Sequence, residues 1–251
     1  MKDPIRPESV AGLLAALREH RPKILRLGNS RSKAIPRAIR ALGAVTVSRI
    51  SGNVSRVAAG VDVLLVSPVS ASAAARRQMD ETLALARHWG VPTVIDLTGA
   101  LRRRRSLAPA RRMIAAAVWP VVSATTDELV ALTNSTRKRM DPIRLAGELL
   151  QSGGLAAIRG STGLVTDGER SVVIDSWDHW LETAREAGPL TSASIAALLG
   201  VAHLADFMTV TAVALTCVGQ ASVRAARHTN SHGMESRVVK ELGALSAGAA
   251  R

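Results

Sequence analysis

Two carboxylates stand where an α/β chain could use them to hold a metal ion. Asp96 ends the apolar run 92–96, and Glu128 lies in the first turn of a predicted helix at 126–134. Mg²⁺ prefers hard oxygen ligands and usually takes only one or two protein carboxylates. Both residues also fit plainer roles, as an aspartate that anchors a loop and as part of an Asp127/Glu128 pair that complements a helix N-terminus. The sequence marks Asp96 and Glu128 as candidate metal ligands and leaves the plainer roles open.

Arginines that could bind phosphate form a second group of candidates. Four consecutive arginines, 102–105, follow the strand that ends in Asp96, and Arg159 ends a later predicted strand. Guanidinium groups bind phosphate oxygens through charge-assisted, forked hydrogen bonds. A run of like charges is also typical of a solvated loop. Phosphate binding and a solvated loop are therefore the two interpretations of residues 102–105.

A sheet is needed to bring these residues together, and the periodicity of the chain predicts one. Short apolar runs typical of buried strands alternate with segments of helical spacing. Farther along, Asp167–Gly168 is a strong turn signal for a β-hairpin. The predicted strands are 23–27, 44–50, 61–66, 92–96, 121–122, 155–159, 163–166 and 171–175; the predicted helices are 32–42, 54–59, 72–88, 109–117, 126–134, 141–152 and, with a turn at 230–233, 191–244.

This order of elements predicts the fold class. Repeated strand-helix units with one antiparallel hairpin indicate an α/β domain whose mostly parallel sheet is covered by helices on both faces. No internal repeat or long linker divides the chain, so 1–251 is expected to form a single domain, with 1–20 and 245–251 peripheral. Ligands of such sheets bind beyond the carboxyl ends of the strands. Chemistry is therefore expected at the six strand ends, which are Leu27–Gly28, Ser48, Ser67–Pro68, Asp96, Ser123-Ala124-Thr125 and Arg159–Gly160.

Composition restricts the classes of function. Hydrophobic residues make up 47% of the 251 residues, which is enough for an ordinary core, and a single cysteine excludes an intrachain disulfide. The formal net charge of +13 fits nucleic acid or phosphorylated ligands, but only 2% of the residues are aromatic. Few aromatics disfavour a protein that stacks single-stranded bases. The apolar stretch 196–218 contains His203 and Asp206, so it predicts a buried helix pair rather than a membrane span.

Four segments resemble hydroxyethylthiazole kinases. They are VDVLLVSPVSASAAARRQMDETLALARHWGVPTVIDLTG at 61–99, VTDGER at 165–170, SASIAALLG at 192–200 and the helical segment 219–242. The likeness is collinear from about residue 20 to 245. It implies a ribokinase-like fold and a homotrimer with active sites between subunits. The single cysteine, and an N-terminus without the apolar core of a signal peptide, predict a cytoplasmic protein. The implied reaction uses ATP and Mg²⁺ to phosphorylate 4-methyl-5-(2-hydroxyethyl)thiazole for thiamine salvage.

The resemblance also implies roles for single residues on the nucleotide side. The family's Arg-Gly-Asn falls on Ser123-Ala124-Thr125, and the Glu that follows it is retained as Glu128. The family's later Thr-Gly falls on Arg159–Gly160. Ser123, Thr125 and Arg159 are accordingly the implied ATP-binding residues, and the likeness strengthens Asp96 and Glu128 as Mg²⁺ ligands. Arg159, which stands where the family has Thr, could contact phosphate or simply fill the emptied nucleotide site.

On the substrate side the sequence departs further from the family. The family's substrate-binding Met falls on Ser48, and its Gly-Thr-Gly-Cys turn aligns with Glu186-Ala187-Gly188-Pro189. Ser48, Glu186 and Gly188 are therefore the implied substrate-binding residues. The catalytic residue is unassigned, because the family's Cys position is Pro189. A shifted alignment would place the turn on 188–191, where Thr191 and Ser192 could cap the following helix.

These departures leave several functions open. The first is a hydroxyethylthiazole kinase-like protein whose activity is weak or lost, because proline offers neither a base nor a backbone N–H. The second is a non-catalytic homologue that binds a phosphorylated or thiazole-like ligand. The third, from another class, is a basic nucleic-acid-binding protein, whose retention on DNA or RNA would depend on salt.

Overall fold

The computed structural model describes residues 6–28, 32–47, 60–69, 71–102, 106–133, 141–175, 177–228 and 233–249. The strands are β1 (Lys23–Leu27), β2 (Val45–Val47), β3 (Val63–Val66), β4 (Thr93–Asp96), β5 (Val121–Thr125), β6 (Leu155–Arg159), β7 (Gly163–Thr166) and β8 (Ser171–Ile174). The helices are α1 (Pro7–His20), α2 (Ala34–Leu42), α3 (Ala73–Trp89), α4 (Leu107–Ala116), α5 (Thr126–Thr133), α6 (Pro142–Leu149), α7 (His179–Thr183), α8 (Ala187–Leu199), α9 (Phe207–Ala226) and α10 (Met234–Gly248).

Within the described residues, the strands form one eight-stranded sheet in the order β2-β1-β3-β4-β5-β6-β7-β8. Strands β1 to β6 pair in parallel, whereas β7 is antiparallel to both β6 and β8. Gly168 has φ +98° in the turn between β7 and β8, a conformation that glycine adopts without a Cβ penalty. The predicted α/β fold, with its mostly parallel sheet and one antiparallel region, is confirmed.

Helices cover both faces of the sheet because the strand residues alternate between two hydrophobic clusters. Val63 and Leu65 face the cluster built with α1, α2, α8, α9 and α10. Leu64 and Val66 face the cluster built with α3, α4, α5 and α6. Parallel strands that are apolar on both faces are typical of a sheet enclosed between two helical layers.

Helix α8 lies at the centre of the first layer and starts earlier than expected. All of its residues are buried, and it packs against β3, β4, β5, α2 and α9. It begins at Ala187, so Thr191 is an interior residue whose Oγ1 donates to the carbonyl of Ala187 at 2.8 Å. The capping role predicted for Thr191 and Ser192 is therefore wrong. Pro189 permits the early start, because a helix tolerates proline in its first turn.

The chain ends that were expected to be peripheral contribute to the core in their described parts. Leu13, Leu14 and Leu17 of α1 are buried, at the three- and four-residue spacing of a core-facing helix stripe. Near the other end, Ser246 donates to the carbonyl of Leu42 at 2.9 Å and accepts from Arg18 Nε at 2.8 Å. The two ends therefore supply a few buried residues to the core, while the other described side chains in 8–20 and 245–248 are exposed or half-buried.

One helix in the described part of the chain, α9, is long and apolar enough to cross a membrane by length and composition. In this structure, 67% of its most apolar window is buried by the rest of the protein. It packs against α8 and α10. The stretch 196–218 thus belongs to a buried helix pair, as its sequence predicted.

Candidate functional site

A row of polar side chains crosses the sheet beneath the N-terminal end of α8. Asp96 at the end of β4 lies in register with Ser123 of β5. Ser67, just beyond β3, donates to Asp96 Oδ2 at 3.2 Å. All three are buried. Strand alternation explains their orientation, because Val94 and Val121, two residues before Asp96 and Ser123, belong to the cluster that contains α8.

Asp96 anchors the loop that follows its own strand. Its Oδ1 accepts a hydrogen bond from Thr98 Oγ1 at 2.6 Å and another from the Thr98 backbone N–H at 3.1 Å. With Ser67 on Oδ2, both carboxylate oxygens have protein donors. The loop-anchoring role that the sequence left open is therefore present in the structure.

Glu128 connects the start of α5 to the same loop. Its Oε2 accepts from the Thr125 N–H at 2.9 Å, and its own N–H donates to Thr125 Oγ1 at 3.2 Å. This reciprocal pair is a capping box, for which the T-x-x-E spacing is the sequence signature. Its Oε1 accepts from the Gly99 N–H at 2.8 Å. Burial raises the pKa of Glu128, although Arg159 and these backbone donors oppose the shift.

Arg159 brings a buried positive charge to these carboxylates. Its Nη2 lies 3.6 Å from Glu128 Oε2, and the exposed fractions of the two side chains are 3% and 6%. Burial lowers the pKa of Arg159, and the negative charges of Glu128 and Asp96 oppose that shift. Its Nε is buried and has no hydrogen-bond partner among the described atoms. Arg159 is thus a permanent cation in a nearly dry environment.

Gly188 closes the site from the first turn of α8. A Cβ atom built on Gly188 would lie 1.9 Å from Thr98 Oγ1 and 2.8 Å from Arg159 Nη2. Only a residue without a side chain fits there. The ends of β4 and β6, the start of α5 and the start of α8 therefore converge on one cluster, which we call the Arg159 cluster: Asp96, Thr98, Glu128, Arg159 and Gly188.

The structure brings together some of the predicted site residues and not others. Ser123 lies beside Asp96, with its Oγ buried and without a partner in the described structure, whereas Thr125 uses both its N–H and its hydroxyl on Glu128. Glu186 is half-buried at the N-cap of α8, and Pro189 is buried in the first turn. Arg102 is exposed. Ser48 and residues 103–105 lie outside the described residues.

Sequence reasoning missed Thr98 and Gly99, which supply three of the hydrogen bonds to the two carboxylates. Two signals were available. The T-x-x-E spacing at Thr125 and Glu128 predicts a capping box, and a threonine two residues after Asp96 can form a local turn with it. Neither signal reveals that Gly99 meets Glu128, because that contact joins residues far apart in sequence.

The residues present do not readily fit a divalent metal ion. Within the described residues, no group of three or more His, Cys, Asp or Glu side chains is placed to hold one. Mg²⁺ can bind through fewer carboxylates, but it needs open oxygen positions. All four oxygens of Asp96 and Glu128 accept protein hydrogen bonds, and Arg159 adds a positive charge beside Glu128. The Mg²⁺ role of Asp96 and Glu128 stays a prediction.

Comparisons with known proteins identify sequence relatives. No family model matches the sequence. The chain is 28% identical over 151 residues to a hydroxyethylthiazole kinase of Chloroflexus aggregans, a match that covers 56% of this chain and 54% of that protein. It is 26% identical over 223 residues to one of Methanoculleus marisnigri, covering 84% and 79%. In the Chloroflexus match, the chain therefore spans about half the length of the curated relative.

Solved structures agree on the fold. A hydroxyethylthiazole kinase protein from Pyrococcus horikoshii superposes with a TM-score of 0.83 at 20% identity, covering 94% of this chain and 92% of that one. A ribokinase-like superfamily protein from Enterococcus faecalis superposes with a TM-score of 0.69 at 12% identity, covering 96% and 95%. The sequence relatives thus agree with the resemblance to hydroxyethylthiazole kinases, and the solved structures show that the chain has a ribokinase-like fold.

Proposed function

We propose that this chain is a hydroxyethylthiazole kinase-like protein of the cytoplasm. It binds ATP and the alcohol 4-methyl-5-(2-hydroxyethyl)thiazole, and its phosphoryl transfer, a step of thiamine salvage, is weak or lost. The observation that carries the proposal is the convergence of the first turn of α8 on the carboxyl ends of β4, β5 and β6. Ligands of parallel sheets bind at this edge, and helix N-termini attract anions.

The ATP phosphates are proposed to lie near Arg159 and Ser123. Arg159 places a positive charge at this edge, and its Nε has no partner among the described residues. Ser123 likewise has a buried hydroxyl free to form a hydrogen bond. Thr125 would line the nucleotide site by its position at the end of β5. Its N–H and its hydroxyl already form hydrogen bonds with Glu128. Kinases of this family imply ATP and usually a divalent metal, which would here be carried by the phosphates of the nucleotide.

The thiazole alcohol is proposed to lie beside the first turn of α8, near Glu186 and Gly188, with Ser48 as the third residue implied on this side. Phosphoryl transfer needs positive or hydrogen-bond-donating groups around the phosphate and a group that accepts the alcohol proton. Pro189 has no backbone N–H and cannot accept a proton. Glu186 adds negative charge at the N-cap of α8. Both features oppose transfer, and together they support weak or lost turnover.

The same features support the second candidate, a non-catalytic homologue. Arg159 is already paired with Glu128, and both Glu128 oxygens accept backbone hydrogen bonds, so the structure gives these groups a role without substrate chemistry. Such a protein would bind a phosphorylated or thiazole-like ligand without converting it. Calorimetric titration with ATP tests whether the protein binds the nucleotide. An assay of ADP release with the thiazole alcohol then tests whether it is a weak kinase or a non-catalytic binding protein.

For the assembly, we propose a homotrimer with sites between subunits, as the family resemblance implies. Light scattering at micromolar concentration should give three times the chain mass of 26.4 kDa. A stable monomer would reject both the trimer and a site shared between subunits.

A further inference from the structure

We infer that the guanidinium of Arg159 is a built-in cation that takes the place of a divalent metal beside Glu128 and Asp96. The nucleotide-free protein would then hold no Mg²⁺ at these carboxylates. The inference rests on the proposed function for the identity of the site, but it does not depend on turnover. It states that Asp96 and Glu128 face Arg159 in place of Mg²⁺, whereas the sequence predicted these two carboxylates as Mg²⁺ ligands.

The first support is the position of the charge. Arg159 Nη2 is 3.6 Å from Glu128 Oε2, and the two side chains are almost completely buried. Asp96 is close enough to affect the pKa values of both partners. Arginine cannot lose its proton under ordinary conditions, so this positive charge is permanent. A divalent cation at Glu128 would have to enter against it, in surroundings where water screens little.

The second support is the occupancy of the carboxylate oxygens. Asp96 accepts from Ser67 on one oxygen and twice from Thr98 on the other. Glu128 accepts from one backbone N–H on each oxygen. These five hydrogen bonds take up more than half of the roughly eight lone-pair positions of the two carboxylates, so a metal ion would have to compete with protein donors.

The third support is the lack of room. The space next to Gly188 is filled by Thr98 Oγ1 and Arg159 Nη2, which would lie 1.9 Å and 2.8 Å from a Cβ on that residue. Mg²⁺ keeps several water molecules in its octahedral shell. The hydrated ion would therefore displace the guanidinium rather than join it.

The experiment is a titration of the nucleotide-free protein with Mn²⁺, followed by calorimetry and by electron paramagnetic resonance of the free ion. Wild type is expected to show no saturable site, and Arg159→Thr is expected to gain one. The melting temperature of Arg159→Thr should rise with cation concentration, because a ligand that binds only the folded state stabilises it. Arg112→Thr, at an exposed pair with Asp80, is the matched control and should gain no site.

Every outcome of the titration decides the inference. A saturable site in wild type that is lost in Asp96→Asn overturns it, and so does a folded Arg159→Thr that binds no Mn²⁺. Arg159→Thr that folds only when the cation is present supports it. Arg159→Thr that stays unfolded with the cation overturns it, since a metal then cannot replace the guanidinium. Arg159→Lys keeps the charge and should remain without a site.

Parallel titration with ATP in the presence of a metal chelator keeps this inference separate from the proposed function. Wild type that binds neither ATP nor Mn²⁺ rejects the proposed function and leaves the inference standing. Wild type that binds ATP and also holds Mn²⁺ at Asp96 rejects the inference and leaves the proposed function standing.

Discussion

Gly188 in the first turn of α8 approaches Thr98 so closely that a Cβ on the glycine would lie 1.9 Å from the threonine Oγ1. Gly188→Ala should therefore force Thr98 or Arg159 to move. Overpacking of this kind lowers the free energy of unfolding by about 1–3 kcal/mol, occasionally more. Urea denaturation followed by circular dichroism measures the loss.

Gly12 in α1 is the matched control for this substitution, because nothing lies within 4 Å of a Cβ built there. Gly12→Ala should raise stability by about 0.5–1 kcal/mol, as alanine is the better helix former. Adding Thr98→Ala to Gly188→Ala should recover part of the loss by removing the closest atom. Gly188→Ala as stable as wild type would contradict the close packing.

Arg159→Met should destabilise the protein by about 3–5 kcal/mol near neutral pH, because it leaves Glu128 buried without its ion-pair partner. The loss should shrink in acid. Removing Arg159 raises the pKa of folded Glu128 further above its ordinary 4.5. The folded variant then binds the proton more tightly than the unfolded chain, so its stability rises as the pH falls from that raised pKa towards 4.5.

Arg112→Met is the control for Arg159→Met. Arg112 forms an exposed pair with Asp80, with side chains 63% and 38% exposed. Such pairs contribute about 0–1 kcal/mol, so the control should be nearly neutral at every pH. Equal losses in the two variants, or a loss for Arg159→Met that grows in acid, would show that the buried pair is not the cause.

Asp206→Ala should weaken the start of α9. Asp206 accepts from the Thr209 N–H at 3.1 Å and from Thr209 Oγ1 at 2.6 Å as the N-cap. Losing such a cap costs about 0.5–2 kcal/mol. Burial raises the pKa of Asp206, but the hydrogen bonds outweigh it and hold the pKa below the ordinary 3.8. This stabilisation is present above 3.8 and is lost as the pH falls through the lowered pKa.

Asp206→Asn separates the cap from the charge. Its amide oxygen can still accept from the Thr209 N–H, so most of the stability above 3.8 should remain. The acid-dependent loss specific to Asp206 should disappear in chemical unfolding curves measured across this range. An unchanged acid profile would exclude Asp206 as a source of that dependence.

Cys217 should be unreactive in the folded protein. It is the single cysteine of the chain, it is fully buried in α9, and burial raises the pKa of its thiol to about 12. Because the thiolate is the reactive form, Ellman's reagent should label Cys217 only when the protein unfolds. The labelling rate should match the global unfolding measured by circular dichroism, and rapid labelling of native protein would contradict the packing of α9.

Much of the fold could be predicted because apolar periodicity is a local signal. The bounds of β6 and β7 agree with the structure, and the hairpin followed from Asp167–Gly168. The start of α8 was misplaced because Gly188 and Pro189 resemble a break in sequence, whereas here they lie in a first helical turn.

The candidate site could be predicted residue by residue but not as an arrangement. Asp96, Glu128 and Arg159 each drew attention by type and position. Their mutual neutralisation depends on sheet register, which sets Thr125 beside Arg159 and Asp96 beside Ser123. No short-range pattern encodes that register, so the ion pair between Arg159 and Glu128 could not be predicted from the sequence.

The proposed function is tested most directly by steady-state kinetics on the thiazole alcohol with ATP and Mg²⁺. We predict a kcat below about 1 s⁻¹, against a median enzyme turnover of about 10 s⁻¹, because losing a general base typically costs about 10²–10⁴ in rate. A kcat above about 1 s⁻¹ would contradict the account. It would show that a group other than Pro189 supplies the base and that Glu186 does not oppose transfer.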